Sequence, residues 1–404
     1  MSRTAFRPRS LRSVVVGLIA TAAIGVAAGA LSAWLLASGG PEAPVTAPPV
    51  AAEAVYGPDG RLLGAAQPYD PAVSFPAKLS GLGQTPSRLV FDKSGRLWFP
   101  TFTGTSSGNR LYRYDPAADS LTSYNLPDSP GSPVLSGPAL APNGHIVLAY
   151  GYLVLDVDPE AGSWDPVQLP APPASFSQQS GESGTWVTDV AVAADGMAYV
   201  ARMNTTAVTS ADLAARSVTE IPIPAGFGTV MFLAAGIDGV YLSNWGGGTG
   251  GKPQLARLSP GGAFTPLEGG ASGLAALPSG SVLATTLERA ILPLGSASSV
   301  ALPPGLAANL GGIRDFAAAD ANSGALWLAG RESGTVVRFD PVAGSGRVYQ
   351  LPSYLIRGSA VPCPPDFPCK DVVSKTRVNG LAVGPNGNLY FSDNDVGRIG
   401  VIRP

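Results

Sequence analysis

The chain has 404 residues, a formal net charge of -2, one His, two Cys and 13% charged residues against 45% apolar ones. That apolar share can fill a large core and excludes wholesale disorder. The near-neutral charge, with no basic cluster interleaved with aromatics, excludes the electrostatic footprint of a nucleic-acid binder. Gly (51) and Pro (39) are abundant, as many tight turns require.

In chain order, Arg3, Arg7, Arg9 and Arg12 fall in a basic segment, residues 1–12, ahead of an uncharged stretch at 13–37. About 20 apolar residues cross a bilayer as a helix, and basic residues before the span keep the N-terminus cytoplasmic, so the domain beyond the span is exported. Two readings stand open: a retained membrane anchor, or a signal peptide cleaved near Ala28-Gly29-Ala30. Signal cores usually run about 7–15 residues, which favours the anchor. No Cys lies at a lipoprotein position after the stretch and no twin-Arg pair is present. Residues 38–55 form a Pro/Ala-rich tether, with Pro41-Glu42-Ala43-Pro44 and Ala47-Pro48-Pro49-Val50, a composition that is semi-rigid and extended. Residues 56–404 form the folded domain.

Within that domain a phrase returns. Leu89-Val90-Phe91-Asp92-Lys93-Ser94-Gly95-Arg96-Leu97-Trp98-Phe99 is answered by Leu381-Ala382-Val383-Gly384-Pro385-Asn386-Gly387-Asn388-Leu389-Tyr390-Phe391. Looser copies carry Asp195-Gly196, Ser279-Gly280 and Gly324 at the turn. Each copy is an apolar strand, a Gly turn and a second apolar strand, and a period of roughly 36 to 54 residues built from such hairpins signals a repeat architecture. The units end on an apolar residue followed by Pro: Phe75-Pro76, Leu126-Pro127, Leu169-Pro170, Ile223-Pro224, Leu302-Pro303 and Leu351-Pro352, with Thr265-Pro266 weaker. Pro suits a sheet rim, where no ladder bond is lost. Asp-Pro at 70–71, 115–116, 158–159 and 340–341 initiates the turn between third and fourth strands.

One unit is therefore four antiparallel strands, the blade of an all-β propeller. Seven endings predict seven blades, six remaining open because the unit from Ser272 to Pro303 is short. The last unit stops after a third strand at Arg398 to Pro404, while residues 72–76 are a fourth strand with no blade before it. Joining them closes the ring and removes an exposed edge. Cys363 and Cys369 lie in a long connection and are expected to form a disulfide in an oxidising compartment, because two thiols with no His nearby do not make a metal site.

Strand starts and second-strand ends place Arg88, Asp189, Arg202, Asn244, Asp315, Arg331, Asn379 and Asp393 at one mouth of the central channel, with Thr101, Tyr150, Thr286, Arg314 and Asn394 beside them. These are the candidate ligand-binding residues. Asp189 and Arg202 are also placed to neutralise one another. The long insertions Gly104 to Gly108, Ala174 to Thr185, Gly246 to Lys252 and the Cys loop gather on the same face, and functional loops cluster on one face of a rigid scaffold. Gly246 to Lys252 lacks the spacing of a phosphate-binding loop. His145 comes directly after turn Gly144, so it belongs to the opposite face.

The strand phrases Leu97-Trp98-Phe99 and Leu389-Tyr390-Phe391, the segment Arg110-Leu111-Tyr112-Arg113-Tyr114-Asp115-Pro116 and the ending Tyr124-Asn125-Leu126-Pro127 resemble the blades of streptogramin (virginiamycin B) lyases. They are also similar to the broader NHL and SMP-30/gluconolactonase-like propellers. The resemblance spans about Pro71 to Pro404. It implies a magnesium-dependent lyase that opens a cyclic depsipeptide ester with histidines and a glutamate near the channel. Here the corresponding positions read Thr101, Arg202, Asn244, Thr286 and Asp393, so those catalytic groups do not carry over. Gluconolactonase-like relatives imply a divalent cation, Ca or Mg, held by hard oxygen ligands, for which Asp189, Asp315 and Asp393 are the candidates.

Two functions are compatible with these residues. The first is an exported, membrane-anchored monomer that binds a cell-envelope protein or a small or oligomeric ligand on its loop-rich face, without catalysis. The second is a divalent-metal-dependent lactonase, hydrolase or lyase using the channel. An Asp–Arg ring closed by ion pairs favours the first, and a convergent carboxylate cluster favours the second.

Overall fold

The computed structural model describes residues 54–56, 62–65, 69–102, 108–128, 137–171, 187–203, 205–244, 253–277, 279–286, 290–294, 300–310, 315–330, 333–356, 372–394 and 396–404. Seven antiparallel sheets succeed one another along the chain. Blade one has a broken first strand, Thr85–Pro86 and Val90–Phe91, then Leu97–Phe102, Arg110–Asp115 and Ser120–Asn125. Blade two comprises Ala139–Leu140, Ile146–Tyr150, Leu153–Asp158 and Ser163–Gln168; blade three comprises Val187–Val192, Ala198–Arg202, Ala207–Asp212 and Ser217–Pro222. Blade four holds Val230–Gly236, Gly239–Asn244, Leu255–Leu258 and Phe264–Leu267. The short fifth unit is a complete blade, Gly273–Ala276, Val282–Thr285, Ala290–Pro293 and Val300–Ala301. Blade six holds Asp315–Ala319, Leu326–Gly330, Thr335–Asp340 and Ser345–Gln350.

Blade seven supplies three strands, Leu381–Val383, Leu389–Asp393 and Arg398–Ile402, and takes Val73–Ser74 as its fourth. Val73 lies opposite Ile402 and Ser74 opposite Val401. The ring closes as expected. Two hairpins lie outside the blades: Ala54–Tyr56 with Leu62–Ala65, and Ser353–Ile356 with Val372–Lys375. The second occupies both ends of the long connection that carries Cys363 and Cys369, and its strands hold the β-formers Tyr354, Ile356, Val372 and Val373.

The recurring Gly has a backbone reason. In blades one, two, three, five and seven the turn between first and second strands closes with the same bond three residues back, from the N–H of Gly95, Gly144, Gly196, Gly280 or Gly387. All five have positive φ, a conformation that only Gly adopts without steric cost. The turn after the third strand is built by its Asp. Asp115, Asp158, Asp212 and Asp340 each accept N–H bonds from residues two and three ahead. The apolar residue of the ending is plugged inward: Leu126, Leu169 and Leu351 are buried, and their N–H groups bond the carbonyls of Asn109, Tyr152 and Gly334, just before the third strand.

The core sits between blades. Leu97, Phe99, Tyr112 and Tyr114 of blade one pack on Ala382, Tyr390, Ile399 and Val401 of blade seven, and Phe227, Val230, Leu233, Val240 and Leu242 of blade four pack on Tyr199 and Ala201 of blade three. Asp92 shows how a turn is wired into such a core. It accepts from Ser94 N, Arg96 N, Arg96 Nε and the Trp98 indole N–H at 2.8 Å. In blade six the turn is one residue longer, Gly324 N reaching back to Asp320, and the Trp327 indole N–H is buried with no acceptor among the described residues.

These local differences make two predictions. Losing a hydrogen bond to a charged acceptor costs about 1.5–3 kcal/mol, whereas removing a buried unsatisfied donor relieves a penalty. Trp98→Phe is therefore expected to lower unfolding free energy by about 1–3 kcal/mol more than Trp327→Phe, measured by urea denaturation. Arg216 sits at φ 53°, where a non-Gly residue costs about 1–2 kcal/mol, partly offset by the freedom Gly gains in the unfolded chain. Arg216→Gly is expected to gain up to about 1 kcal/mol, since its pair with Asp165 is exposed on both sides.

Candidate functional site

Of the side chains at or beside the second-strand ends, Thr101, Tyr150, Arg202, Asn244 and Asp393 are almost wholly buried, and Thr286 is partly buried. Their partners show what they do. Thr101 is hydrogen-bonded to Gln84, and the Tyr150 hydroxyl accepts from Asn109 Nδ2 of blade one at 2.8 Å. Asn244 donates to the Phe227 carbonyl and accepts from Gln254 N at 2.8 Å. Thr286 Oγ1 accepts from Ala290 N at 3.2 Å. Each bond ties the end of a second strand to a neighbouring connection or to the start of a third strand.

Charges at the mouth are balanced in pairs, although not in the pairing expected. Arg202, whose side chain is 1% exposed, donates to Glu220 at 2.6 Å, to Thr209 Oγ1 at 3.0 Å and to the Pro170 carbonyl at 2.6 Å. Burial pulls its guanidinium below the ordinary value while Glu220 opposes that shift. Asp189 pairs instead with Arg88, from a blade two places away. The cause is geometric. A bulge between Val187 and Asp189 re-aims the Asp189 side chain away from its own second strand. Asp189 Oδ2 accepts from Leu233 N of blade four at 2.8 Å, and Oδ1 from Val190 N at 2.9 Å.

Asp393 anchors a second cluster. It accepts from the Tyr354 hydroxyl and from Arg398 Nε at 3.1 Å, while Arg398 also donates to the Tyr354 oxygen at 2.8 Å. Thr376 Oγ1 lies 3.3 Å from the same oxygen. The guanidinium of Arg398 covers Phe75 at 3.4 Å from the ring centroid. Sequence reasoning misses Tyr354. The available signal is the run Tyr354-Leu355-Ile356, aromatic and apolar with strong β-formers at both ends, which makes the segment a strand rather than a loop. Asn379 N donates to Ser392 Oγ at 3.0 Å. Asp315 lies in a first strand opposite Gly330; its side chain, Arg314 and Arg331 lie outside the described residues, as do Cys363, Cys369, the apolar stretch 13–37 and most of each expected insertion. No helix among the described residues is long and apolar enough to cross a membrane.

His145 is on the turn face, as Gly144 required. Its Nδ1 lies 2.9 Å from Asp156, and it borders a cleft of about 250 Å³ shared with Lys93, Arg96, Asp158 and Glu160.

Among the described residues, the donor set around Asp189 and Asp393 does not fit a divalent cation. Both Asp189 oxygens face N–H donors, the Asp393 carboxylate is held by an arginine and a tyrosine, and no group of three His, Cys, Asp or Glu converges among the described residues. No protein-family model matches the sequence, and no curated protein matches it. Solved structures do. The chain is similar in fold to a streptogramin B lyase, with a TM-score of 0.57 and 13% identity over 81% of this chain and 96% of that one. It is also similar to the β-propeller domain of Swd1 from Myceliophteria thermophila, with a TM-score of 0.52 and 11% identity over 83% of this chain and 98% of that one. A third is the extracellular domain of a hybrid two-component system from B. thetaiotaomicron, at 0.50 and 14% over 79% of this chain but 40% of that one. At these identities the likeness is one of fold.

The Tyr354 cluster yields a pH prediction. Burial, then the neighbouring Asp393 carboxylate, push the hydroxyl well above its ordinary value. A group whose folded pKa is raised contributes stability that is present below the unfolded value, about 10, and is lost as pH rises toward the folded value. Stability should therefore fall above about pH 10. Tyr354→Phe is expected to be less stable by about 1–3 kcal/mol at pH 7 and to fall less steeply at higher pH, read from urea melts at stepped pH.

Proposed function

We propose that this propeller is an exported binding module that engages a cell-envelope protein or a small or oligomeric ligand on its loop-bearing face. The supporting observation is that the mouth carboxylates Asp189 and Asp393 are each closed by an arginine instead of converging on a shared point, which suits recognition better than metal-assisted hydrolysis. Residues 13–37 hold the module at the membrane as a retained helix, residues 38–55 space it from the bilayer, and Cys363 and Cys369 form a disulfide in the loop on that face. The module acts as a monomer.

The test compares the two faces in intact cells. A photo-crosslinking residue at Arg110, exposed at the start of a blade-one third strand, is expected to give a discrete adduct, and one at Asp195, exposed on the turn face, none. Adducts from Asp195 alone, or from neither, would overturn the reading. A stoichiometric calcium or magnesium ion lost on Asp393→Ala would instead support the metal-dependent hydrolase or lyase.

A further inference from the structure

The Arg88–Asp189 contact has the parts of a recognition site. Asp189 is 1% exposed and Arg88 26%, so the cation reaches a sunken carboxylate from the open side. That carboxylate retains two backbone donors, Val190 N and Leu233 N, if the guanidinium leaves. The guanidinium carbon also lies 5.6 Å from the centroid of Phe232, and a cation over an aromatic face gains further attraction.

Two adjacent first strands are bent to build this arrangement. The bulge before Asp189 in blade three has a counterpart between Val230 and Phe232 in blade four, and Thr188 Oγ1 ties the two by donating to the Val230 carbonyl at 2.9 Å. One bulge aims the carboxylate and the other the ring. The stem of Arg88 runs over Gly137, where a Cβ would come within 2.3–2.8 Å of its Cβ, Cγ and Cδ. Gly137 thus leaves a groove the width of an arginine stem. Arg88 itself sits in the break of the blade-one first strand, between Pro86 and Val90, where residues 87–89 belong to no strand.

We propose that the Asp189 carboxylate, the Phe232 ring and the Gly137 groove form a receptor for a guanidinium-bearing side chain of a partner, and that Arg88 fills it in the free protein as an internal competitor. The inference rests on the reading of this face as the binding face and names the group it recognises. A carboxylate with an aromatic face selects a planar cation over a neutral amide, because guanidinium matches carboxylate geometry and stacks on aromatic rings. An internal competitor weakens the apparent affinity by the fraction of time it occupies the site.

The test is chemical rescue in the full chain. N-acetylarginine amide is the probe, and the uncharged N-acetylcitrulline amide is its control. Arg88→Ala is expected to bind the arginine probe at least tenfold more tightly than the wild type by calorimetry, with a rise in Tm. The citrulline control should do neither, and Arg88→Ala with Asp189→Asn should lose the effect. A folded Arg88→Ala protein that binds the probe no better than wild type would overturn the proposal. Should Arg88→Ala not fold alone, refolding promoted by the arginine probe and not by citrulline would support the site, and no rescue by either would overturn it. Rescue tests the receptor, whereas face-specific crosslinking tests the binding face, so the two failures are distinguishable.

Discussion

The pairing of Val73 with Ile402 carries the rest of the molecule. Without it, blade seven is a three-stranded sheet with an open edge, and the ring has two free ends. The Ser74 hydroxyl donates to the Val401 carbonyl across a separation of 327 residues, yet closure entropy grows only with the logarithm of loop length. A short strand therefore suffices when it is also packed. Phe75 supplies that packing, edge-on to Phe391 at 6.0 Å and to Tyr69 at 5.9 Å, with Arg398 lying over its ring. The seam of the ring and the Tyr354–Asp393–Arg398 cluster at the mouth are thus one structure.

The rest of the mouth obeys the same economy of charge. A chain so poor in charged residues places several of them where they are least solvated, and a buried charge is tolerated only when paired and hydrogen-bonded. Arg202, Asp189 and Asp393 meet that condition through partners on other strands or other blades. Polar side chains at second-strand ends are consumed in joining connections to blades. The Arg88–Asp189 bar is the part built on an interrupted strand.

The likeness to a streptogramin B lyase is one of scaffold, and a propeller scaffold does not by itself fix a chemistry. The two share a fold at 13% identity, because Gly turns, Asp-capped turns and buried rim residues are enough to specify blades. Chemistry depends on a handful of positions at strand ends. In this chain Thr101, Arg202, Asn244, Thr286 and Asp393, at or beside the second-strand ends, are each hydrogen-bonded into the framework.

Sequence alone determined the blades and their closure, since each rests on local physics. Positive φ demands Gly at the first turn, a carboxylate two or three residues ahead of N–H groups caps the next turn, and an orphan fourth strand at one end matches a missing one at the other. Strand period also marked which residues stand at the ends of strands. Tertiary structure decided their partners. Bulges in blades three and four turned Asp189 toward Arg88 and Leu233 and away from Arg202. One extra turn residue separated Trp327 from the acceptor that Trp98 keeps, and a hairpin inside an apparent loop delivered Tyr354 to Asp393. Periodicity gives the face and height of a side chain, but neighbours across a ring depend on the rotation of one blade against the next, which arises only when all seven pack.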